Sequence, residues 1–327
     1  MKKLLALPLV AAVACGGGAF KDQARDAMPS KDAISMGSPT GTATASSSTA
    51  LTAPSSPDST AGQQSPFRVL TVGVSIVFNV PTALFLDLLR HVVEDFEPTS
   101  CDAHSCTWGP GSGALDPVAY KLVVTRDGDG VSFDWTLSGA LKPLTAASEF
   151  VVFANGVATP GPQRHHGSGN FQIDFDAMST LGIAGNAAGL MQVTSYSNVG
   201  PAQLAVTFIG ANDNDHPGEK NNIVYSYKND NAGGGDLDFA MHNTTSGDRF
   251  SVHSRWKNDG RGRADVAALP TGYAGVSLSE CWGAAPFDVV YFHSTEQGYV
   301  ALWAGPDSGS ETQCAYAPAD FSGTSAP

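Results

Sequence analysis

His242, His253 and His293 each fall in a segment of alternating polarity with Ser or acidic residues nearby, the ingredients of a hydrolytic triad. A triad is defined by placement in space rather than by spacing, so these residues nominate a chemistry without establishing it. Ser254-Arg255-Trp256, followed by Arg261 and Arg263, is the one cationic cluster. Arg255 and Arg263 could hold an anionic ligand in guanidinium forks beside Trp256. The structural alternative pairs them with carboxylates across adjacent strands. His165-His166 lies in "PGPQRHHGSG", where adjacent imidazoles could reach a metal, but neighbouring side chains diverge in extended chain. "RDGDG" (126–130) and "NDNDHPGEKNN" (212–222) gather oxygens suited to Ca²⁺, yet their spacing fits no EF-hand and Asp-Gly is ordinary hairpin chemistry. H-E-x-x-H, G-x-S-x-G, P-loop and C-x-x-C patterns are all missing from the sequence. The expectation is therefore no enzyme, no metal and no cofactor, with Arg255, Trp256 and Arg263 kept as candidate ligand contacts.

The cysteines carry different information. The chain opens "MKKLLALPLVAAVAC": two Lys, an apolar run from Leu4 to Ala14, then Cys15. This run is too short for the roughly 20 apolar residues of a membrane span and reads as an export signal over residues 1–14. It resembles the signal of bacterial lipoproteins, in which cleavage precedes a Cys that takes diacylglycerol, although Ala12 stands where Leu is usual. The alternative is ordinary cleavage after Ala14. Five Cys in an exported chain leave one odd thiol. With Cys15 lipidated, Cys101, Cys106, Cys281 and Cys314 suffice for two disulfides, expected as Cys101–Cys106 and Cys281–Cys314. The resemblance implies a membrane partner through the lipid, and Gly16 rather than Asp after the Cys implies the outer membrane.

Residues 15–66 read as a disordered Ser/Thr/Pro-rich tether, exemplified by "TGTATASSSTALTAPSSPDSTAGQQSP", which has too few large apolar residues to offset chain entropy. Residues 67–327 are long enough for one large β domain. The chain carries 31 Asp+Glu against 18 Lys+Arg, a net charge of −13, which argues against nucleic acid and anionic membrane surfaces as partners. Val69 to Leu86 is uncharged and long, but Asn79, Pro81, Asp87 and Arg90 speak against a span. The pattern predicts a strand over Leu70–Phe78 and one short amphipathic helix over Thr82–Phe96, together forming a strand/helix lead-in (67–117).

Beyond that lead-in the chain alternates, as in Phe171-Gln172-Ile173-Asp174-Phe175, with Asp/Asn/Gly turns between segments. The order of segments repeats. "YKLVVTRDGDGVSFDW" corresponds to "YSYKNDNAGGGDLDF", "EFVVFANG" to "RFSVHSRW", "GSGNFQIDFDAM" to "GRGRADVAAL", and "TSYSNVGPAQLAVTF" to "LSECWGAAPFDVVYF". Two tandem six-strand repeats, 118–210 and 222–316 with a terminal strand, are expected. The fold class is thus all-β: about twelve strands in a large curved antiparallel sheet or a closed barrel.

A curved sheet with a helix on an anchored exported chain is similar in outline to periplasmic lipoprotein-carrier half-barrels. The motif order, W-G-P after the first cysteine pair, then S-R-W, G-R-G-R-A-D and S-E-C-W, resembles a family of uncharacterised bacterial exported proteins. That family brings no activity to carry over. The functional expectation is a lipid-anchored cell-envelope protein with a binding or structural role, carrying an apolar ligand or lipid if the sheet encloses a cavity. The alternatives are a surface interaction module with a filled core and an envelope hydrolase.

Overall fold

The computed structural model describes residues 17–39, 61–295 and 307–327, apart from Ala114, Ala146, Ala147, His165, Asp215, Asn231 and Tyr273. The expected signal segment, Cys15 and residues 40–60 of the expected tether lie outside the described residues.

Among the described residues three helices precede the sheet: α1 (Gly17–Ala27), α2 (Lys31–Ile34) and α3 (Pro66–Glu94). The expected strand over Leu70–Phe78 and separate helix from Thr82 are in fact the single 29-residue α3, with Pro81 inside it. The β-branched run Val69–Val80 favours extended chain by propensity, but helix start signals and packing override it. The Ser65 side chain accepts from Arg68 N at 3.0 Å, and Pro66 occupies the first turn. Thr71, Val74, Ser75, Phe78, Thr82, Phe85, Leu89 and Val92 then recur at helical spacing and are buried.

Among the described residues fifteen strands form one antiparallel sheet. They are β1 (Pro98–Cys101), β2 (Ser105–Gly111), β3 (Val118–Arg126), β4 (Phe133–Leu141), β5 (Val151–Pro160), β6 (Gly167–Asp174), β7 (Leu190–Ser197) and β8 (Gln203–Asn212), then β9 (Lys220–Asn229), β10 (Gly235–Asn243), β11 (Arg249–Trp256), β12 (Gly262–Leu269), β13 (Val276–Trp282), β14 (Val289–Ser294) and β15 (Ser308–Gly309). A short helix, α4 (Phe175–Thr180), interrupts the path between β6 and β7. Each strand pairs with its neighbours in sequence, and β1 and β15 are the two edges. The sheet is therefore open, and the expectation of a closed barrel does not hold. The strand count also exceeds about twelve: the hairpin β1–β2 falls in the expected lead-in (67–117), and the two-residue β15 falls in the terminal part of the expected 222–316 unit.

Closure, which would remove the edges, is not how the sheet buries its apolar side. α3 lies across its inner face, from the last strands to the first. Phe67 meets Phe292 of β14, Phe78 meets Tyr225 of β9, and Phe85 meets Trp135 of β4 and Phe171 of β6, with ring centroids 5.7–6.5 Å apart. Trp108, Trp135, Trp256 and Trp282 are all fully buried. Polar contacts fix the start of α3: the Glu280 carboxylate accepts from Ser65 Oγ and, at 3.1 Å, from Phe67 N. An anion at a helix N-terminus satisfies donors that have no intrahelical acceptor.

The segment 17–39 is also folded, which corrects the reading of it as disordered tether. It runs antiparallel along α3. Lys21 Nζ bonds Glu97 at 2.9 Å, Arg25 Nε donates to the Val93 carbonyl at 2.8 Å, and the Asn79 amide bonds both the N–H and the carbonyl of Met36 at 2.8 Å. Farther along, Ser75 Oγ donates to the Gly37 carbonyl at 3.1 Å. Phe20, Ala24, Ala27 and Met28 are spaced for one helical face and are buried, a signal diluted by averaging composition over residues 15–66.

Candidate functional site

The densest polar constellation lies on the outer face of β10–β13. Alternation directs Asp236, Asp238, His253, Arg255, Arg263, Asp265 and Ser279 away from α3, while Leu237, Val252, Ala264 and Leu278 face inward and are buried. Register then juxtaposes the charges: Asp236 with Arg255, Asp238 with His253, Arg255 with Arg263, and Asp265 with both His253 and Ser279. The segment after β15 covers them.

Arg263 is 0% exposed, and its guanidinium is fully engaged. Nε bonds Asp265 Oδ1 at 2.9 Å, Nη2 bonds Ser279 Oγ at 2.6 Å, and Nη1 bonds Glu311 Oε1 at 2.7 Å and the Tyr316 carbonyl at 3.1 Å. Asp265 accepts in addition from Arg255 Nη2 at 3.0 Å, Ser279 Oγ at 2.5 Å and Asp320 N at 3.0 Å. The lone pairs of this buried carboxylate are thus satisfied by charged and neutral donors from three strands and the covering segment. Cys314, placed against Cys281 with their Cα atoms 5.4 Å apart, pins the covering segment beside Arg263, whose cross-strand partner is Cys281. The half-cystine at 314 follows a short 3-10 turn (Glu311–Gln313) rather than lying in the strand expected there. At the other end of the fold Cys101 faces Cys106 across β1–β2, Cα to Cα 4.1 Å, in line with the expected pairing.

His253 sits at the margin of this network. Nε2 lies 3.0 Å from Asp236 Oδ1 and Nδ1 lies 3.2 Å from the Asp320 carbonyl, so both ring nitrogens face acceptors, as an imidazolium requires. Burial pulls its pKa down, but the Asp236 bond and the charges of Asp238 and Asp236 outweigh this and leave it raised. Asp238 is also raised, chiefly by burial. One ligand atom from each of Asp236, Asp238 and His253 lies within 4.8 Å of the others, and Asp213, His216 and Glu219 in the β8–β9 turn do the same. In the first group both nitrogens of His253 already face protein oxygens, while Asp238 Oδ1 is buried without a hydrogen-bond partner among the described residues. In the second, Glu219 accepts from Asn243 Nδ2 and Asp213 faces His216 at 3.4 Å.

The three candidate ligand contacts are not brought together. Arg255 and Arg263 face outward into the ion-pair network, whereas Trp256 faces inward and stacks on Tyr227, ring centroids 6.2 Å apart and 19° between planes. His242 and His293 are likewise dispersed, the first bonded to the Pro327 carbonyl at 2.7 Å and the second to Asp307 at 2.9 Å. The three histidines thus lie on three different strands and bond separate carboxylate or carbonyl oxygens. His166 Nδ1 lies 3.1 Å from the Asn198 carbonyl, and His165 is outside the described residues.

A cavity of about 470 Å³ opens between α2, α3 and the β9–β10 turn, lined by Ile34, Met36, Asn79, Leu86, Tyr227 and Trp256 among others. Its polar groups serve the fold: the Asn79 amide holds Met36, and Lys31 pairs with Asp87 at 2.5 Å. Sequence reasoning missed the role of Asp236, Asp238, Asp265, Glu311 and Asp320. The available signal was the alternation of charge on strands whose other side is apolar, "DLDF", "HSRW" and "RADV", together with a Cys far downstream able to bring a cover over them. Comparisons with protein families, with curated proteins and with solved structures found no match for this chain.

Proposed function

We propose that this chain is an exported, lipid-anchored cell-envelope protein, held through Cys15, whose β domain is a non-catalytic binding or structural module with a filled core. The observation that carries the reading is the cysteine arithmetic. Four of the five cysteines sit in two pairs at disulfide distance, Cys101 with Cys106 and Cys281 with Cys314, which fits an oxidising, exported location and leaves Cys15 over. The lipoprotein-like segment before Cys15 supports acylation there, and Gly16 supports outer-membrane residence. Occupation of the inner face by α3 favours a filled module over a carrier of an apolar ligand, because the side chains that would line a lipid cavity pack on the helix.

The test is intact mass spectrometry of protein purified from its native envelope. It should show a diacylated N-terminal Cys15 without a stoichiometric lipid in the folded part. An unmodified N-terminus overturns the anchor, and one tightly held lipid per chain overturns the filled core in favour of the carrier.

We also read the sheet as two tandem six-strand units. Each matched pair of segments falls six strands apart: β3–β4 with β9–β10, β5 with β11, β6 with β12, and β7–β8 with β13–β14. Exchanging the β4–β5 and β10–β11 connections between units should preserve folding if the units are equivalent; unfolded chimeras count against duplication.

A further inference from the structure

Arg68, in the first turn of α3, is 7% exposed, yet no acceptor among the described residues meets its guanidinium. Nε is buried and unbonded, and the two terminal nitrogens keep only a narrow contact with solvent. The other arginines of the chain each meet at least one protein oxygen. Burial pulls the Arg68 pKa below its ordinary value, and no neighbouring carboxylate offsets that effect. The Glu280 carboxylate, close by in the fold, is turned to Ser65 Oγ and Phe67 N instead. A charge taken out of water is ordinarily paired, because packing alone does not compensate its lost hydration. The sequence has 31 Asp and Glu, and none among the described residues is placed against this one.

The surroundings hold the guanidinium in position. Its central carbon lies 3.7 Å from the centroid of the Phe287 ring, a cation–π contact. Among the described residues Phe287 is the one non-glycine residue with positive φ, 70°, a conformation unfavourable for a bulky side chain. Its carbonyl accepts from Ser65 N at 3.1 Å, and its own N–H donates to the Ala284 carbonyl at 2.9 Å. At the edge of the ring, a Cβ on Gly260 would stand 2.6 Å from Cε1, so only glycine leaves the ring this place. With one face on the ring and Nε enclosed, the guanidinium offers its two terminal nitrogens as parallel donors. That end suits the two oxygens of one carboxylate. The net charge of −13 disfavours a polyanion there. We propose that Arg68, stacked on Phe287, is a binding site for a single carboxylate supplied from outside the chain, as a free small acid or a peptide terminus. This goes beyond the binding-module reading and holds whether or not Cys15 is acylated.

The test is NMR of the full chain carrying isotopically labelled arginine, with the Nε–H signals followed as sodium acetate replaces sodium chloride at constant ionic strength. The Arg68 signal, assigned by its loss in Arg68→Gln, should move saturably while those of Arg255 and Arg263 stay in place. N-acetylglycine, which imitates a peptide terminus, should act on the same signal, and its uncharged amide should not. Tighter binding of N-acetylglycine assigns the site to a chain end, and tighter binding of acetate to a free acid. Tighter binding of inorganic phosphate than of either overturns the carboxylate assignment. Arg68→Lys keeps the charge without the fork and should weaken acetate binding by about tenfold. Thermal unfolding gives a second readout. In chloride, Arg68→Met should melt no lower than the parent, because it removes an unpaired buried charge; acetate should raise the parent's midpoint and leave the variant's unchanged. A variant that melts well below the parent in chloride, with no saturable acetate response in the parent, makes Arg68 a structural residue and sinks the proposal. An acetate response that appears only in Asp58→Asn does the same, since the anion would then come from the chain itself.

Discussion

β3–β8 and β9–β14 both turn aromatic side chains toward α3, but only the second set carries buried charge on its other side. In the first set the outer face ends in water: Asp134, between the buried Phe133 and Trp135, is exposed. In the second, Arg263 and Asp265 are as buried as the core aromatics, because the segment after β15 lies over them. The two sets also hold α3 differently. The first grips its later turns by ring packing through Trp135 and Phe171, whereas the second adds hydrogen bonds at the early turns to its ring contacts through Phe292 and Tyr225: Glu280 accepts from Phe67 N and Ser254 bonds Thr71. The contrast teaches that outward charge on a strand reports what covers the strand. Arg255 and Arg263 had the appearance of an anion site, and their anions are supplied by the protein itself.

The contrast can be broken most forcefully at Arg263. Arg263→Ala leaves Asp265 buried without its main partner and should cost about 3–5 kcal/mol in urea unfolding, whereas Asp134→Ala should stay within about 0.5 kcal/mol. Equal small effects at both positions would mean that the network is not a distinguishing feature of the second set. Next in size is the covering segment's covalent tie. Replacing Cys281 and Cys314 by Ser should destabilise by roughly 3 to 4 kcal/mol for a loop of this length. Hydrogen exchange should then quicken first around Tyr316 and Asp320; uniform quickening over both sets would show that the segment is not a separate cover.

A smaller effect separates the two grips on α3. Thr71 Oγ1 and Ser254 Oγ are 2.7 Å apart and buried, so Thr71→Val should cost about 1–3 kcal/mol by leaving the Ser254 hydroxyl unpaired. Adding Ser254→Ala should recover part of that loss, and no recovery in the double variant would remove the hydrogen bond from the account. The smallest effect is pH dependence. His253 faces Asp236 and Asp238 on β10, Arg255 on its own strand, Asp265 on β12 and Asp320 on the covering segment. Its raised pKa means that the folded state binds the proton more tightly than the unfolded chain does. This contribution is complete below the unfolded value of about 6.5 and is lost as pH rises through the folded value. Asp238, also raised, has the same sign in the acid range, and Asp320, held low mainly by its bonds with Ser322, has the opposite sign there. Urea midpoints should therefore fall modestly between about pH 6 and pH 8, and His253→Gln should flatten that decline; an unchanged slope in the variant would assign it elsewhere.

Much of this architecture was legible residue by residue. Alternation in "FQIDF" and "LDFAM" identified β6 and β10 because a strand facing a core on one side must alternate, whatever its partners. Turns rich in Asp, Asn and Gly, such as "RDGDG" and "NDGRG", placed neighbouring segments in antiparallel hairpins for an equally local reason. Cys281 and Cys314 could be paired because the alternatives were few. α3 was misread, because the β-branched run Val69–Val80 scores as a strand on its own and is helical through its fit to the inner face of the sheet. Segment 17–39 was misread because Phe20, Ala24 and Met28 are few, and gain burial only once α3 lies beside them.

The sequence by itself therefore determined the antiparallel β class, most strand positions, the cysteine pairs and the net acidic charge. These follow from side-chain period, turn chemistry and charge, each set within a few residues. Only the tertiary structure decided that the sheet stays open, that α3 fills it, and that Arg263 is buried beneath Glu311 and Tyr316. A buried charge is stable only with partners in place, and here those partners arrive from 48 and 53 residues away, a distance that no local pattern spans.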